Sequence, residues 1–470
     1  MKTLYLLWCF LFLSFTVVPN ISNAANDGSS KIDPALQRYL SKLDDDSKPV
    51  TVIVTFKGQV RVNRSQARRS NHASIQKAMI ELNRKQSQKL RKFLNQQIDG
   101  DTQLSGFNVW LINGLVIRLP ASLIESLAQF EEVSRVSFNQ KIKLIKPRVH
   151  GLVSRRALEA GDYTYGLKLL QIPGLREMAS KVTGKGVRVG ILDTGIEGSH
   201  PDLKDKVVAW GDFTREGSKT PVDGHGHGTH VAGTIAGGNA SGTHIGVAPE
   251  ASLVVGRIFD SGGSTTLDAI LKAMQWMADP DGDASTKDFP VLVSNSWGGG
   301  FSSSSVDPLE NPMCKATQGW SKLGILPVFA AGNSGSRPGT VNLPAACPDA
   351  FAVGATDEND QIASFSSRGP AKWKTGTLIK PLVSAPGVKV VSSVPGGKYA
   401  AFSGTSMATP HVAGMAALMY QIAPNTDITA MGRLCSSTSK DLGDAGNDND
   451  YGWGRIDALK AAKELIKAMD

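Results

Sequence analysis

Three separated stretches of this 470-residue chain carry side chains that could act on one another. The last is Ser403-Gly404-Thr405-Ser406-Met407-Ala408-Thr409-Pro410-His411-Val412-Ala413-Gly414, with an apolar, helix-like run from Val412 to Tyr420 behind it. It sets one hydroxyl, Ser406, among small residues that let the backbone turn tightly and present the oxygen at a helix start. An exposed oxygen with backbone N–H groups nearby is what a nucleophile needs. Alone, the stretch is equally a Ser/Thr/Gly turn that caps a helix. Upstream, Val187-Arg188-Val189-Gly190-Ile191-Leu192 reads as a short buried strand. It ends in Asp193-Thr194-Gly195-Ile196, so a carboxylate falls where α/β sheets place function. Between the two lies Asp223-Gly224-His225-Gly226-His227-Gly228-Thr229-His230-Val231-Ala232-Gly233-Thr234. A serine needs a base, and the base needs a carboxylate to fix its tautomer.

The order Asp, His, Ser is the subtilisin order, whereas α/β-hydrolases run Ser, Asp or Glu, His. The three stretches resemble the signature motifs of the subtilisin family of serine proteases. A fourth, Ala330-Ala331-Gly332-Asn333-Ser334-Gly335, is similar to the family's oxyanion-hole segment. The likeness covers roughly residues 163 to 465. In Val293-Ser294-Asn295-Ser296-Trp297-Gly298-Gly299 and Leu326 to Asn333 it looks most like the bacillopeptidase F branch.

The resemblance implies roles residue by residue. Ser406 is the nucleophile, His227 the general base and later general acid, and Asp193 the orienter of His227. Three histidines crowd one loop. The family motif His-Gly-Thr-His-Val-Ala-Gly puts the base at His227, with His225 too early and His230 inside the following helix. A His-x-His-x-x-His metal site is the competing reading, but no further ligand set accompanies it. Asn333 is implied to hold the developing oxyanion, a donor whose loss typically costs on the order of 3 kcal/mol of transition-state stabilisation. Ser296, Trp297 and Gly298 are implied to pair with an extended substrate, and with Ala331 and Gly332 to wall the first specificity pocket. Trp297 could instead be core.

No organic cofactor is implied; a structural Ca²⁺ is. Asp279-Pro280-Asp281-Gly282-Asp283 alternates carboxylates around a glycine as calcium loops do, without the Glu that would complete an EF-hand. A solvated acidic turn is the other reading. Asp202, in His200-Pro201-Asp202-Leu203, resembles a family calcium ligand.

The elements that must position these residues follow from the rest of the chain. Met1-Lys2, the apolar Leu4 to Val18 and the small Ser22-Asn23-Ala24 read as a secretory signal peptide, residues 1–24. Export makes a disulfide expected among Cys314, Cys347 and Cys435, with Cys314–Cys347 preferred and one thiol left over. Residues 26–150 hold 21 Lys and Arg against 11 Asp and Glu, whereas residues 151–470 hold 29 against 31. The basic character therefore belongs to the front segment. Its charges lie mostly along Arg61 to Lys92, a solvated helix and its approach, so no nucleic-acid partner is expected.

That front segment, residues 25–150, reads strand, helix, strand, strand, helix, strand. Val50 to Phe56 is β-branched and apolar. Ile75 to Ile98 has helical spacing, and Asn113-Gly114 between two apolar runs signals a hairpin. The pattern is ferredoxin-like. It is similar to the subtilisin-family propeptide, a chaperone and temporary inhibitor; the plainer reading is an accessory domain that is never removed. Residues 151–165 read as a processing linker, with the cut expected between about 146 and 163.

From 166 to 470 strands alternate with helices, the signal of a mostly parallel sheet flanked by helices. Strands are expected at Val187–Leu192, Ser252–Ile258, Val291–Ser294, Leu326–Ala330, Ala350–Gly354 and Leu382–Ala385. Helices are expected at His230–Ala236, Thr265–Met277, Cys314–Leu323, Thr409–Gln421 and Ala458–Ala468. The expected protein is an exported, self-inhibited serine endopeptidase, a monomer acting on proteins and peptides and free of the membrane once its leader is gone. A non-catalytic relative would lack a triad member, and an esterase would carry a Gly-x-Ser-x-Gly elbow; neither feature is present.

Overall fold

The computed structural model describes residues 31–63, 67, 69–96, 104–154 and 162–469. The expected signal peptide lies outside them, as do residues 155–161 of the expected linker.

The front half opens with α1 (Pro34–Leu40), capped by the Asp33 carboxylate. The expected six elements follow as β1 (Pro49–Phe56), α2 (His72–Asn95), β2 (Ser105–Val109), β3 (Gly114–Pro120), α3 (Ile124–Gln129) and β4 (Val133–Phe138). They form an antiparallel sheet in the order β2-β3-β1-β4. The hairpin turns at Asn113, whose φ of 48° is the left-handed geometry asparagine tolerates. Along β1 the side chains alternate between two cores. Val52 and Val54 close on Leu115, Ile117, Leu90 and Ile124 within the front domain. Ile53 joins Val116, Ile75 and Leu111 in a second core that continues into the back half.

Two short strands connect the halves, β5 (Lys141–Lys143) and β6 (Arg148–Val153). The back half begins with α4 (Tyr165–Leu169) and α5 (Ile172–Met178). Its sheet is built from β7 (Arg188–Asp193), β8 (Val207–Asp212), β9 (Ser252–Arg257), β11 (Leu292–Asn295), β12 (Leu326–Ala330), β13 (Phe351–Thr356) and β16 (Val383–Pro386). Every pairing is parallel, in the order β16-β13-β12-β11-β7-β9-β8. A parallel sheet buries both faces, which explains the near-continuous apolar runs of β7, β9 and β12. Helices α6 (His227–Ala236) and α9 (Thr405–Ile422) share one core with the sheet. Helices α7 (Leu267–Met277) and α8 (Pro312–Lys322) contribute to the core that also takes the front domain.

The remaining elements are β10 (Ser264–Thr266), β14 (Ala371–Trp373), β15 (Gly376–Leu378), β17 (Val390–Val394), β18 (Lys398–Ser403), α10 (Ile428–Thr438) and α11 (Ala458–Lys467). Cys314 and Cys347 form a disulfide, and Cys435 is buried and free.

Candidate active site

Asp193 is the last residue of β7 and is fully buried. Its Oδ1 accepts from the Thr194 N–H and from His227 Nδ1, each at 2.7 Å. That bond fixes the imidazole with its proton on Nδ1, leaving Nε2 as the bare, basic nitrogen. His227 Nε2 is buried and makes no hydrogen bond.

His227 opens α6, one turn earlier than the sequence reading placed the helix start. Gly228 explains both the early start and why it is hard to foresee. A Cβ there would lie 2.1 Å from the Gly195 carbonyl oxygen, so only glycine lets the first turn of α6 rest on the loop after Asp193. That loop is pinned by a residue to which the sequence reading gave no role. Asp223 accepts from the N–H groups of His225, Gly226 and Thr229 and from the hydroxyls of Thr194 and Thr229. Thr194 Oγ1 in turn accepts the Gly228 N–H. One carboxylate thereby ties the end of β7 to the start of α6.

The other two histidines of the loop diverge from His227. His230 is buried, stacks on Phe402 at 4.3 Å between centroids, and directs Nε2 at the carbonyls of Val390 and Ala400. Burial pushes its imidazole down to about 3. It fastens α6 to β17 and β18. His225 borders the cleft, its ring centroid 6.4 Å from that of His227. Among the described residues the three do not gather as a metal site.

Ser406 is the second residue of α9 and is 3 % exposed. Its Oγ donates to the Ser296 carbonyl, and Ser296 Oγ donates to the Ser406 carbonyl, both at 2.9 Å. The second bond has a local cause. Pro410 lies four residues on and has no N–H to give the Ser406 carbonyl. The Ser296 hydroxyl supplies the missing donor. Turning Oγ away from the Ser296 carbonyl by rotation about χ1 is what frees it for a neighbouring base. Helices α6 and α9, which carry the two groups, pack on each other.

Asn333 follows β12 at a half-buried position. Its Oδ1 accepts from the Thr405 N–H and the Thr405 hydroxyl, both at 2.9 Å. With the oxygen so occupied, Nδ2 is the free end, 3.2 Å from where a Cβ on Gly404 would stand. The Ser406 N–H lies in the first turn of α9, where N–H groups have no intrahelical acceptor.

The expected pocket residues Gly298 and Gly332 both approach Asn342. Trp297 belongs to the core, 3 % exposed and edge-on to Phe259 and Phe329. Its indole is therefore not a substrate contact. A Cβ on Gly298 would lie 2.7 Å from the Leu343 carbonyl oxygen. A Cβ on Gly332 would lie 2.1 Å from Asn342 Oδ1. Asn342, not singled out from sequence, is 2 % exposed and is the residue that both glycines approach.

A strand of the chain itself runs along this cleft. β5 pairs antiparallel with β10, Ile142 opposite Thr265, and the Leu144 N–H continues the ladder to the Gly263 carbonyl at 2.9 Å. Leu144 is 6 % exposed. Beyond Pro147, β6 pairs antiparallel with β18, Arg148 opposite Ser403. Ser403 precedes Ser406 by three residues. Ile145, Lys146 and Pro147 thus join two anchored strands, the second of which pairs with the strand that leads into the nucleophile candidate.

The candidate metal residues are not brought together as expected. Asp279 and Asp281 converge with Asp288, ligand atoms within 4.8 Å of one another. Asp283 turns away to accept from the N–H and hydroxyl of Ser285, so Asp288 takes the place given to it. Asp202 stands apart, buried, accepting from the Ala240 N–H at 2.7 Å and the Tyr399 hydroxyl.

Residues 184–454 match the family model described as "Subtilase family", and residues 51–145 match "Peptidase inhibitor I9". The chain is 34% identical over 411 residues to Bacillopeptidase F of Bacillus subtilis, covering 81% of this chain and 28% of that protein. It is 38% identical over 304 residues to Subtilisin Savinase of Lederbergia lenta, covering 65% of this chain and all of that one. It is 39% identical over 307 residues to Subtilisin E of Bacillus subtilis, covering 65% and 72%.

Proposed function

The chain belongs to the subtilase family, and from that premise we propose that it is an exported serine endopeptidase, made as a zymogen, whose catalytic groups are Asp193, His227 and Ser406. The observation that carries the reading is the buried His227 Nδ1–Asp193 Oδ1 bond of 2.7 Å, which leaves Nε2 bare inside the matched residues. In the reaction Ser406 Oγ attacks the peptide carbonyl while His227 Nε2 takes its proton. Asp193 holds the imidazolium that forms. Asn333 Nδ2 and the Ser406 N–H receive the oxyanion, and Nε2 returns the proton to the leaving amine. Water then cleaves the acyl-enzyme by the same steps.

The front domain, residues 25–150, is the inhibitor, as its inhibitor-family match supports. The strands that flank Ile145 to Pro147 support the mode of inhibition proposed, in which the chain occupies its own cleft as a substrate would. They also narrow the cut to the front edge of the range expected from sequence. Leu144 and Arg148 are held in ladders, and the Lys146–Pro147 bond ends on a tertiary nitrogen with no hydrogen. Pro147–Arg148 opens directly into the β6 ladder. We place the cut at Ile145–Lys146.

Export is supported by the disulfide, which persists in oxidising compartments. Among the described residues no helix is long and apolar enough to cross a membrane. Calcium is assigned to Asp279, Asp281 and Asp288, where Asp279 Oδ1 is buried without a hydrogen-bond partner. Burial and the two neighbouring carboxylates raise the Asp279 pKa, the penalty a cation would relieve.

Mass and N-terminal sequence of the purified chain, beside Ser406→Ala, test the reading. The native chain should lose residues up to Ile145 and the variant should keep them. Retention by both, with no cleavage of casein, would overturn it. Loss by both would show that another protease does the cutting.

A further inference from the structure

The first turns of α2, in the inhibitor domain, lie on the acidic loop of the catalytic domain. His72 and Gln76 are one turn apart and share a face of the helix. His72 Nε2 is 2.8 Å from the Ala278 carbonyl, and its ring stacks on Phe289 at 3.7 Å between centroids. Gln76 reaches the residue after Ala278, its Nε2 donating to Asp279 Oδ2 at 2.6 Å. The loop is thus held at both of its ends by side chains of the other domain.

That contact strands two oxygens. The Gln76 side chain is fully buried, and its Oε1 has no hydrogen-bond donor. Asp279 Oδ1 is in the same condition. Buried acceptors without a partner are exceptions that call for a cause. Both belong to one amide–carboxylate contact, and beside it Asp281 and Asp288 each bring a ligand oxygen within 4.8 Å of one from Asp279. The Asp281 N–H donates to Asp288 Oδ2 at 2.8 Å and the Thr286 hydroxyl to Asp281 Oδ2 at 3.0 Å, which sets the shape of the loop but neutralises nothing. Among the described residues no Lys or Arg forms an ion pair with any of the three carboxylates.

We infer that the cation of this loop is shared between the domains: Gln76 Oε1 joins Asp279, Asp281 and Asp288 as a ligand, so that calcium fastens the inhibitor domain to the domain it inhibits. The inference rests on the calcium assignment made above. Calcium accepts carboxylates, amide carbonyls and waters together in flexible geometry. The terminal torsion of glutamine is broad, so a modest turn brings Oε1 to an ion beside Asp279. A neutral amide adds a ligand without adding a fourth negative charge. By linkage, the docked domain tightens calcium by the same factor by which calcium tightens the docked domain. Where calcium is plentiful the cut front domain stays, and where it is scarce the domain leaves sooner.

The test uses the uncut full chain carrying Ser406→Ala, with terbium as the probe and calcium as its competitor. Trp276, whose Nε1 donates to the Pro280 carbonyl at 2.9 Å, sensitises terbium held in this loop and no remote one. Gln76→Leu should weaken calcium by about tenfold or more, a common size for coupling between two sites. Gln76→Glu keeps an oxygen and should bind at least as tightly as the unaltered chain. In the native chain, saturating calcium should slow release of the cut front domain, and in Gln76→Leu it should not. A glutamine that only bonds to Asp279 would change release equally with and without calcium. Equal or tighter binding by Gln76→Leu overturns the inference and leaves calcium to the catalytic domain alone. Should Gln76→Leu fail to fold, weaker binding by Gln76→Glu overturns it as well. If the unaltered chain gives no terbium signal, or Asp281→Asn leaves that signal intact, the calcium assignment itself falls and the inference with it.

Discussion

The antiparallel sheet of the front domain and the parallel sheet of the catalytic domain bury their faces by different means. In the catalytic domain the chain covers its own sheet: α6 and α9 share one core with it, and α7 and α8 contribute to the other. The front domain closes only part of its apolar surface with its own residues, around Val52, Val54, Leu115 and Leu127. The rest, around Ile53, Leu111, Ile112 and Val116, is completed by Leu271, Met274 and Trp320 of the partner domain. Lys315 of α8 shows the same dependence from the other side. Its ammonium is buried against the Phe56 carbonyl of β1, and burial lowers it to about 8. The front domain thus depends on the interface for part of its core, which suits an inhibitor docked on the domain it covers.

The sharpest way to separate the two regions is to disable the chemistry without disturbing either core. Asp193→Asn should do so. An amide can still occupy the site but no longer fixes the Nδ1–H tautomer of His227. In a serine protease with the same triad this change lowers kcat by about 10⁴. The front domain should then stay attached while the melting temperature changes little. Rapid self-cutting by this variant would remove Asp193 from the proposed machinery.

Asn333→Ala is the next largest expected effect. Removing one such donor in subtilisin costs about 10²–10³ in kcat, and KM should barely move because the donor serves the oxyanion rather than the bound carbonyl. Asn333 Oδ1 also accepts two bonds from Thr405. Asn333→Asp keeps those acceptors while losing the donor, so it should be as slow as Asn333→Ala. A much milder loss in Asn333→Asp would mean that the Thr405 bonds, not the oxyanion, explain the residue.

Acid should weaken the catalytic core through its buried histidines. His411 is fully buried, with Nδ1 bonded to the Met407 carbonyl at 2.8 Å, and burial lowers its pKa from 6.5 to about 4. His230 behaves likewise. The folded-state pKa values lie below the unfolded one, so only the unfolded chain takes up these protons as pH falls below 6.5. Stability is fully present above that value and is lost on acidification, by about 1.4 kcal/mol per pH unit for each histidine. His72 extends the argument to the interface. It is buried between the Leu323 and Ala278 carbonyls, and burial lowers its pKa too. Urea titrations of uncut Ser406→Ala at pH 7.5 and 5 should show this loss. A flat profile would mean that these histidines are hydrated or already charged.

What could be read from the sequence divides along physical lines. Six of the seven strands of the parallel sheet were legible because the runs are apolar and buried. Strand β8 at the edge was not, since Val208 is 52 % exposed and the run lacks a pattern. The β17–β18 hairpin was missed because Ser392 and Ser393 look like loop residues. Both are buried, their hydroxyls donating to the His230 and Thr229 carbonyls of α6. The triad candidates stood out as motifs. Asp223 did not acquire a role, because its partners are mostly backbone N–H groups that no sequence pattern displays. Asp288 was passed over for Asp283 because alternation along a loop does not say which carboxylate turns inward.

The smallest effect tests the interface alone. Gly319 lies in α8 of the catalytic domain, and a Cβ there would stand 2.7 Å from both the carbonyl oxygen and a methyl carbon of Leu111 in the front domain. Gly319→Ala should therefore act with opposite signs in the two states. While the front domain is docked, overpacking costs about 1–3 kcal/mol. Once it has left, the clash is gone and alanine favours the helix by roughly 1 kcal/mol over glycine. The cut front domain should dissociate tenfold faster or more, and the mature enzyme should keep its kcat/KM with an equal or slightly higher melting temperature. Unchanged dissociation would mean that Leu111 moves aside easily and that the shared core is looser than its burial implies. A drop in mature stability would mean that Gly319 is needed by the catalytic domain itself, and the division of the core between a self-sufficient domain and a dependent one would not hold at that contact.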